Sequence, residues 1–131
     1  MRVPGFGSPE KLQRARSEAQ LALGTHDFAA FRTSIDARTD TVRTLHALRI
    51  EQDTGDERLF HLHVVGTAFL HNMVRILVGT LVDVALGRLQ AGAIARALAS
   101  RQRRDAGLTA PASGLCLERV YLPREGESRW P

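Results

Sequence analysis

Apolar residues recur at helical spacing early in the chain, where Leu12, Ala15, Ala19 and Ala22 follow Ser8-Pro9-Glu10. That tripeptide is a helix-start signal: a hydroxyl to cap exposed amides, a proline at the first helical position, and an acid in the first turn. Gly24 is a natural stop, so the pattern predicts a helix over 9–23. Phe28 and Phe31, three apart, suggest a short helical turn docked on a core, and 33–41 is polar and reads as a loop. The period then changes to two. Residues 42–52 alternate, which places Val42, Thr44, His46, Leu48 and Ile50 on one face of a strand. Asp53-Thr54-Gly55-Asp56-Glu57 reads as a turn, and 59–65 alternates again through Phe60, Leu62 and Val64. Two alternating runs around a polar turn predict an antiparallel hairpin.

The most apolar stretch, 69–86, closes at Gly87 and predicts a buried helix. Another helix is predicted over 89–100, running into the basic residues Arg101, Arg103 and Arg104. Thr109-Ala110-Pro111-Ala112-Ser113-Gly114 then forms a loop that leads to a third strand over 115–122, ended by Pro123. The order helix, strand, strand, helix, helix, strand implies an α+β fold, a mainly antiparallel sheet with helices packed on one face. It fits one domain over 9–123, with a lead-in at 1–8 and a polar tail at 124–131.

Composition narrows the function classes. With 131 residues, 44% of them hydrophobic, the chain suits a single domain with its own core. The net charge of +4 favours an anionic partner such as nucleic acid. Only Lys11 among the 18 basic residues is a lysine, so the skew also fits a plain preference for arginine and a solvated basic surface. The single cysteine, Cys116, rules out an internal disulfide and a metal site built from cysteines. It fits a reducing, cytoplasmic setting, and it reads as a small buried apolar residue rather than a nucleophile. The N-terminus lacks the apolar segment of a signal peptide. The apolar run 73–86 is too short to span a bilayer and contains Arg75 and Asp83, so no membrane association is expected.

Arg75 is the sharpest local anomaly. It interrupts a helix otherwise built for burial, and its guanidinium stays charged and needs an acceptor. Asp83 is the nearest acid in that helix, but eight residues correspond to about 12 Å of rise, too far for a direct pair. The acceptor must come from elsewhere, as a carboxylate, a phosphate or backbone carbonyls. Alternatively, Arg75 snorkels to the edge of the core or ties down a loop.

Four segments together resemble one family. Phe69-Leu70-His71-Asn72-Met73-Val74-Arg75-Ile76-Leu77-Val78-Gly79 is similar to the F-L-H-H-M-V-R-N-I-V-G signature of TruA-type tRNA pseudouridine synthases. Gly24-Thr25-His26-Asp27-Phe28-Ala29-Ala30-Phe31-Arg32 resembles the family's G-x-H-D-F-x-x-F-R. Val42-Arg43-Thr44-Leu45 resembles V-R-T-I, and Thr109-Ala110-Pro111-Ala112-Ser113-Gly114-Leu115-Cys116-Leu117 resembles T-A-P-A-x-G-L-x-L. Asn72 and Ile76 are mild departures. The larger one is that the family's nucleophile segment, G-R-T-D-A-G-V-H-A, has no counterpart here. Arg38-Thr39-Asp40 repeats three of its letters but lies in a loop, where Asp40 is not expected to act as the nucleophile.

The resemblance implies one half of a pseudouridine synthase fold, the C-terminal half, inactive alone. It implies isomerisation of uridine to pseudouridine in the anticodon stem-loop of tRNA, without metal or cofactor. Arg75 takes the place of the arginine that pairs with the catalytic aspartate, and Leu115 that of the apolar residue against the reacting base or the aspartate. Tyr121 reads as a core or rim residue. Arg101, Arg103, Arg104 and His71 are the candidate RNA contacts, although arginines at a helix end also complement its dipole. The implied partners are tRNA and either a second copy or a complementary N-terminal half. The alternative is a non-catalytic RNA-binding or dimerisation module derived from the family. His61 and His63 share a strand face and could ligate a metal with His71, but no accompanying acid is evident, so no metal site is expected. His26 and Asp27 precede two core phenylalanines and are expected to cap or lock a loop.

Overall fold

The structure, a computed structural model, describes residues 8–33, 39–56 and 59–111. The predicted third strand, with Leu115, Cys116 and Tyr121, lies outside the described residues. Helix α1 spans Pro9–Gln20, with the Ser8 hydroxyl accepting the Lys11 amide at 3.2 Å. It stops three residues short of the predicted end, and β1, Gly24–Asp27, follows where the sequence suggested only a stop and a turn. The phenylalanine pair forms a 3-10 turn at Ala29–Phe31, with both rings fully buried. Strands β2 (Val42–Gln52) and β3 (Phe60–Gly66) form the expected hairpin, and the antiparallel sheet has the order β1-β2-β3.

The face assignment of β2 needs correction. Its pairing steps from Leu45↔Gly66 to Ala47↔Val65, which passes over His46. This bulge inserts one residue and reverses the alternation. Leu45 therefore shares the core face with Leu48 and Ile50, at 2%, 4% and 4% exposure, whereas Val42 is 48% exposed. A strict period of two cannot show a bulge, so Val42, Thr44 and His46 lie on the face opposite the one it predicts. Phe60, Leu62 and Val64 do face the core.

The helices cover that same apolar face. α2, Met73–Ala85, is buried along almost its whole length, with Met73, Ile76, Leu77 and Leu81 at full burial. Ala15, Ala19 and Ala22 of α1 and its C-terminal turn are buried too, small enough to let α1 approach α2 closely. The guanidinium of Arg16 ties α1 to the sheet, with Nη2 donating to the Ile50 carbonyl at 2.9 Å. Exposed Arg49, Glu51 and His61 mark the opposite face. α2 begins four residues later than predicted, because Asn72 adopts a left-handed conformation, φ 60°. Asparagine tolerates this region better than most residues.

α3 is Ala93–Ser100, shorter than the predicted 89–100. Gly92 before it is left-handed, φ 89°, and offers no capping side chain. The cap comes from α1. The buried Glu18 carboxylate accepts the Gly92 amide with Oε2 and the Ile94 amide with Oε1, both at 2.9 Å. A carboxylate at a helix N-terminus satisfies orphan amides and meets the positive end of the dipole. α3 ends at Arg101 and is followed by a 3-10 turn, Arg103–Asp105.

Candidate functional site

The chain beyond that turn lies as an extended strap, 106–111, along one face of α2. Gly79 makes this possible: a Cβ there would lie 1.5 Å from the Leu108 carbonyl oxygen. Two buried polar side chains of the helix then take the strap's amides. Thr80 Oγ1 accepts the Gly107 amide at 2.8 Å, and Asp83 Oδ2 accepts the Leu108 amide at 3.1 Å. Thr80 donates its own proton to the Ile76 carbonyl at 2.7 Å, while Asp83 Oδ1 meets Arg88 Nη1 at 3.3 Å. Arg103 closes the strap from outside, giving Nη1 to the Gly107 carbonyl at 2.8 Å and Nη2 to Thr109 Oγ1 at 3.2 Å.

Arg75 sits at the far end of this face, half-buried. Its Nε donates to the Ala110 carbonyl at 2.7 Å, and the Ala110 amide donates to the Arg75 carbonyl at 3.0 Å. Its Nη1 donates to Asn72 Oδ1 at 3.1 Å. Asn72, which replaces the second histidine of the signature, thus starts the helix with its backbone and steadies the guanidinium with its side chain. None of the ion pairs among the described residues includes Arg75, and Nη2 has no hydrogen-bond partner among them. The guanidinium therefore ties the strap to the start of α2, as the loop-tying alternative for Arg75 expects.

The remaining candidates separate by their contacts. His71 is exposed, with Nδ1 2.6 Å from Thr33 Oγ1. Arg101 is exposed, left-handed at φ 59°, and 3.7 Å from Asp27 Oδ2. Arg104 is exposed, whereas the N–H fork of Arg103 is committed to the strap. Leu115 lies outside the described residues. Asp40 is exposed and accepts the Val42 amide of its own turn at 3.1 Å.

Asp27 links three segments. Its Oδ1 accepts the Thr41 hydroxyl at 2.5 Å and the Ala29 amide at 3.1 Å, so it locks the loop that starts β2 onto the turn after β1. The Thr41 bond, more than any other cause, holds its carboxyl below the ordinary carboxylate range. The Ala29 amide and the Arg101 charge act in the same direction, against partial burial.

The histidine reading needs a correction. Acids do accompany the strand histidines: Asp53 Oδ1 is 2.9 Å from His61 Nε2, and Glu51 Oε2 is 3.6 Å from His63 Nε2. Asp53 also takes the Gly55 and Asp56 amides, so it organises the hairpin turn. Among the described residues no three His, Cys, Asp or Glu side chains gather to hold a metal. The β2–β3 register brings these acids beside the histidines, and spacing along one strand does not reveal it.

Sequence reasoning missed Gly79, Thr80 and Asp83. They follow Arg75 at four, five and eight positions, along one side of a helix. A small and two polar residues recurring on one side of an otherwise apolar helix signal that backbone docks there.

Residues 19–123 match the family described as tRNA pseudouridine synthase. The tRNA pseudouridine synthase A of Acetivibrio thermocellus is 44% identical over 112 residues, which cover 86% of this chain and 43% of that protein. The protein of the same name from Chloroflexus aurantiacus is 46% identical, across 85% of this chain and 40% of its own length. That from Myxococcus xanthus is 43% identical over 124 residues, 95% of this chain and 46% of the relative. The chain therefore spans less than half the length of these curated relatives.

Proposed function

This chain belongs to the tRNA pseudouridine synthase family, and from that premise we propose that it is the C-terminal half of such a synthase, supplying part of a tRNA cleft and the arginine of the active site. The nucleophilic aspartate comes from a complementary N-terminal segment. Alone, the chain binds tRNA without turning it over. The observation that carries this reading is Arg75: a half-buried guanidinium fixed through Nε and Nη1 whose Nη2 has no partner among the described residues.

The chemistry follows from that cation. A carboxylate brought against Arg75 is held ionised, because the positive charge favours its deprotonated form, and the bond orients it for attack on the uridine. The N1–C1′ bond breaks, the base rotates and a C5–C1′ bond forms; the carboxylate is released, and the proton lost from C5 is balanced by one gained at N1, with no metal or cofactor. The uridine, in the anticodon stem-loop, leaves its stack to reach the site. The family resemblance supports for Leu115 the role of the apolar residue against the base or the aspartate. Arg101, Arg104 and His71 lie outside the strap and meet RNA; Arg103 adds its charge while its N–H groups stay on Gly107 and Thr109.

A second reading is a non-catalytic RNA-binding or dimerising module. The test combines this chain with the aspartate-bearing half of a relative and compares native Arg75 with Arg75→Ala. Turnover that depends on Arg75, with tRNA affinity unchanged, supports the catalytic half. Salt-dependent tRNA binding with no turnover in the mixture supports the module.

A further inference from the structure

The strap does more than cover α2. We propose that Thr80, Asp83 and Arg103 are positioning residues for the guanidinium of Arg75, acting through the 107–110 backbone that they clamp; this rests on the reading of Arg75 given above.

Among the described residues Arg75 Nε has one partner, the Ala110 carbonyl at 2.7 Å, while Nη1 is held by Asn72 Oδ1. With the Asn72 bond fixed at the helix start, the direction of the guanidinium follows the position of the Ala110 peptide. That peptide is held on its C=O side by Arg75 Nε and on its N–H side by the Arg75 carbonyl. The Ala110 amide pins this end of the strap to the backbone of α2, but it leaves the tilt of the Ala110 peptide to the chain that leads into it. That chain is held by the Thr80 hydroxyl on Gly107, the Asp83 carboxylate on Leu108 and the Arg103 fork on Gly107 and Thr109. The clamp has little slack. A Cβ at Gly107 would lie 2.7 Å from the Thr80 Cα and 2.8 Å from Asp83 Oδ2. A strap released at Gly107 and Leu108 loses its support on the N-terminal side of Ala110, so the Ala110 carbonyl can tilt away from Arg75 Nε.

The same clamp explains why two polar groups are kept inside the most apolar helix. Thr80 is fully buried and Asp83 is 5% exposed. Buried polar groups are costly unless their bonds are satisfied, and here the strap's amides satisfy them. Arg103 is consequently not interchangeable with a lysine. A lysine keeps the charge but loses the planar fork that spans two oxygens.

The test uses the complete chain in two assays. In the first, exchange of the Arg75 Nε proton is followed by NMR in the 131-residue protein. Thr80→Val, which keeps shape and removes the acceptor, and Asp83→Ala should each speed that exchange roughly tenfold. Thr80→Ser, which restores the acceptor, should leave it at the native rate. In the second, the chain is combined with the aspartate-bearing half and turnover on tRNA is measured. Thr80→Val and Arg103→Lys should lower kcat by about 10- to 100-fold with KM unchanged, the size of effect that a small misplacement of a catalytic group produces. Arg103→Lys leaves the buried helix untouched, so it answers the question even if Thr80→Val fails to fold. A raised KM with native kcat in Arg103→Lys would assign Arg103 to RNA instead and overturn the clamp. Native kcat in both variants, with Arg75→Ala inactive, overturns the positioning role and leaves the assignment of Arg75 standing. Native kcat in Arg75→Ala overturns both.

Discussion

Arg75 and Ala110 hold each other twice: the arginine Nε donates to the Ala110 carbonyl at 2.7 Å, and the Ala110 amide donates to the Arg75 carbonyl at 3.0 Å. A charged side chain in an apolar helix is thereby joined to the strap over 106–111.

Gly79→Ala should destabilise the protein, against helix propensity. Alanine is favoured over glycine in a helix interior by about 1 kcal/mol. Here the new Cβ would lie 1.5 Å from the Leu108 carbonyl oxygen, so the strap must lift. Overpacking costs about 1–3 kcal/mol, and loss of the Gly107 and Leu108 bonds adds to it, so the unfavourable effect wins. Urea unfolding measures it, as a midpoint below that of the native chain. A higher midpoint would mean that the strap is not seated on Gly79.

Glu18→Ala should cost about 1–3 kcal/mol, because the Gly92 and Ile94 amides lose a charged acceptor at a buried helix start. Glu18→Gln retains one carbonyl acceptor and should cost less. Equal midpoints for the two variants in urea would contradict the cap.

Asp27 makes the fold acid-sensitive. The Thr41 hydroxyl, helped by the Ala29 amide and Arg101, lowers its folded pKa from the ordinary 3.8. On acidification the unfolded chain then takes up the proton first. The contribution is fully present above that ordinary value and is lost as pH falls through the lowered folded value. Asp27→Asn should flatten the pH dependence of the urea midpoint in this acid window. A slope unchanged from the native protein would show that Asp27 does not carry it.

Much of this was readable in the sequence. The start of α1, the β2–β3 hairpin, the buried helix around Met73 and the odd placement of Arg75 follow from caps, periods and the cost of burying charge. The failures have physical causes. The bulge at His46 reverses the face of β2 without changing its apolar content. Strand β1 is four residues long, too short for alternation to register. α3 starts late because its cap is Glu18, 74 positions from Gly92, and no local pattern shows such a cap. Thr80 and Asp83 have meaning only once the strap lies on them.

Arg101 and Arg104 should each contribute a phosphate contact. Arg104→Ala should weaken tRNA binding across sequences and reduce the salt slope by about 1. Arg101→Ala should behave alike and also remove a partner of Asp27. Binding titrations at several salt concentrations measure this. An unchanged slope for both variants would move the RNA surface elsewhere.

The most direct measurement of the central claim is the pseudouridine formed in tRNA by this chain alone and by the chain combined with the aspartate-bearing half of a relative. The account predicts no product from the chain alone and product in the mixture. Pseudouridine made by the isolated chain would contradict it, since a nucleophile would then have to lie within these 131 residues.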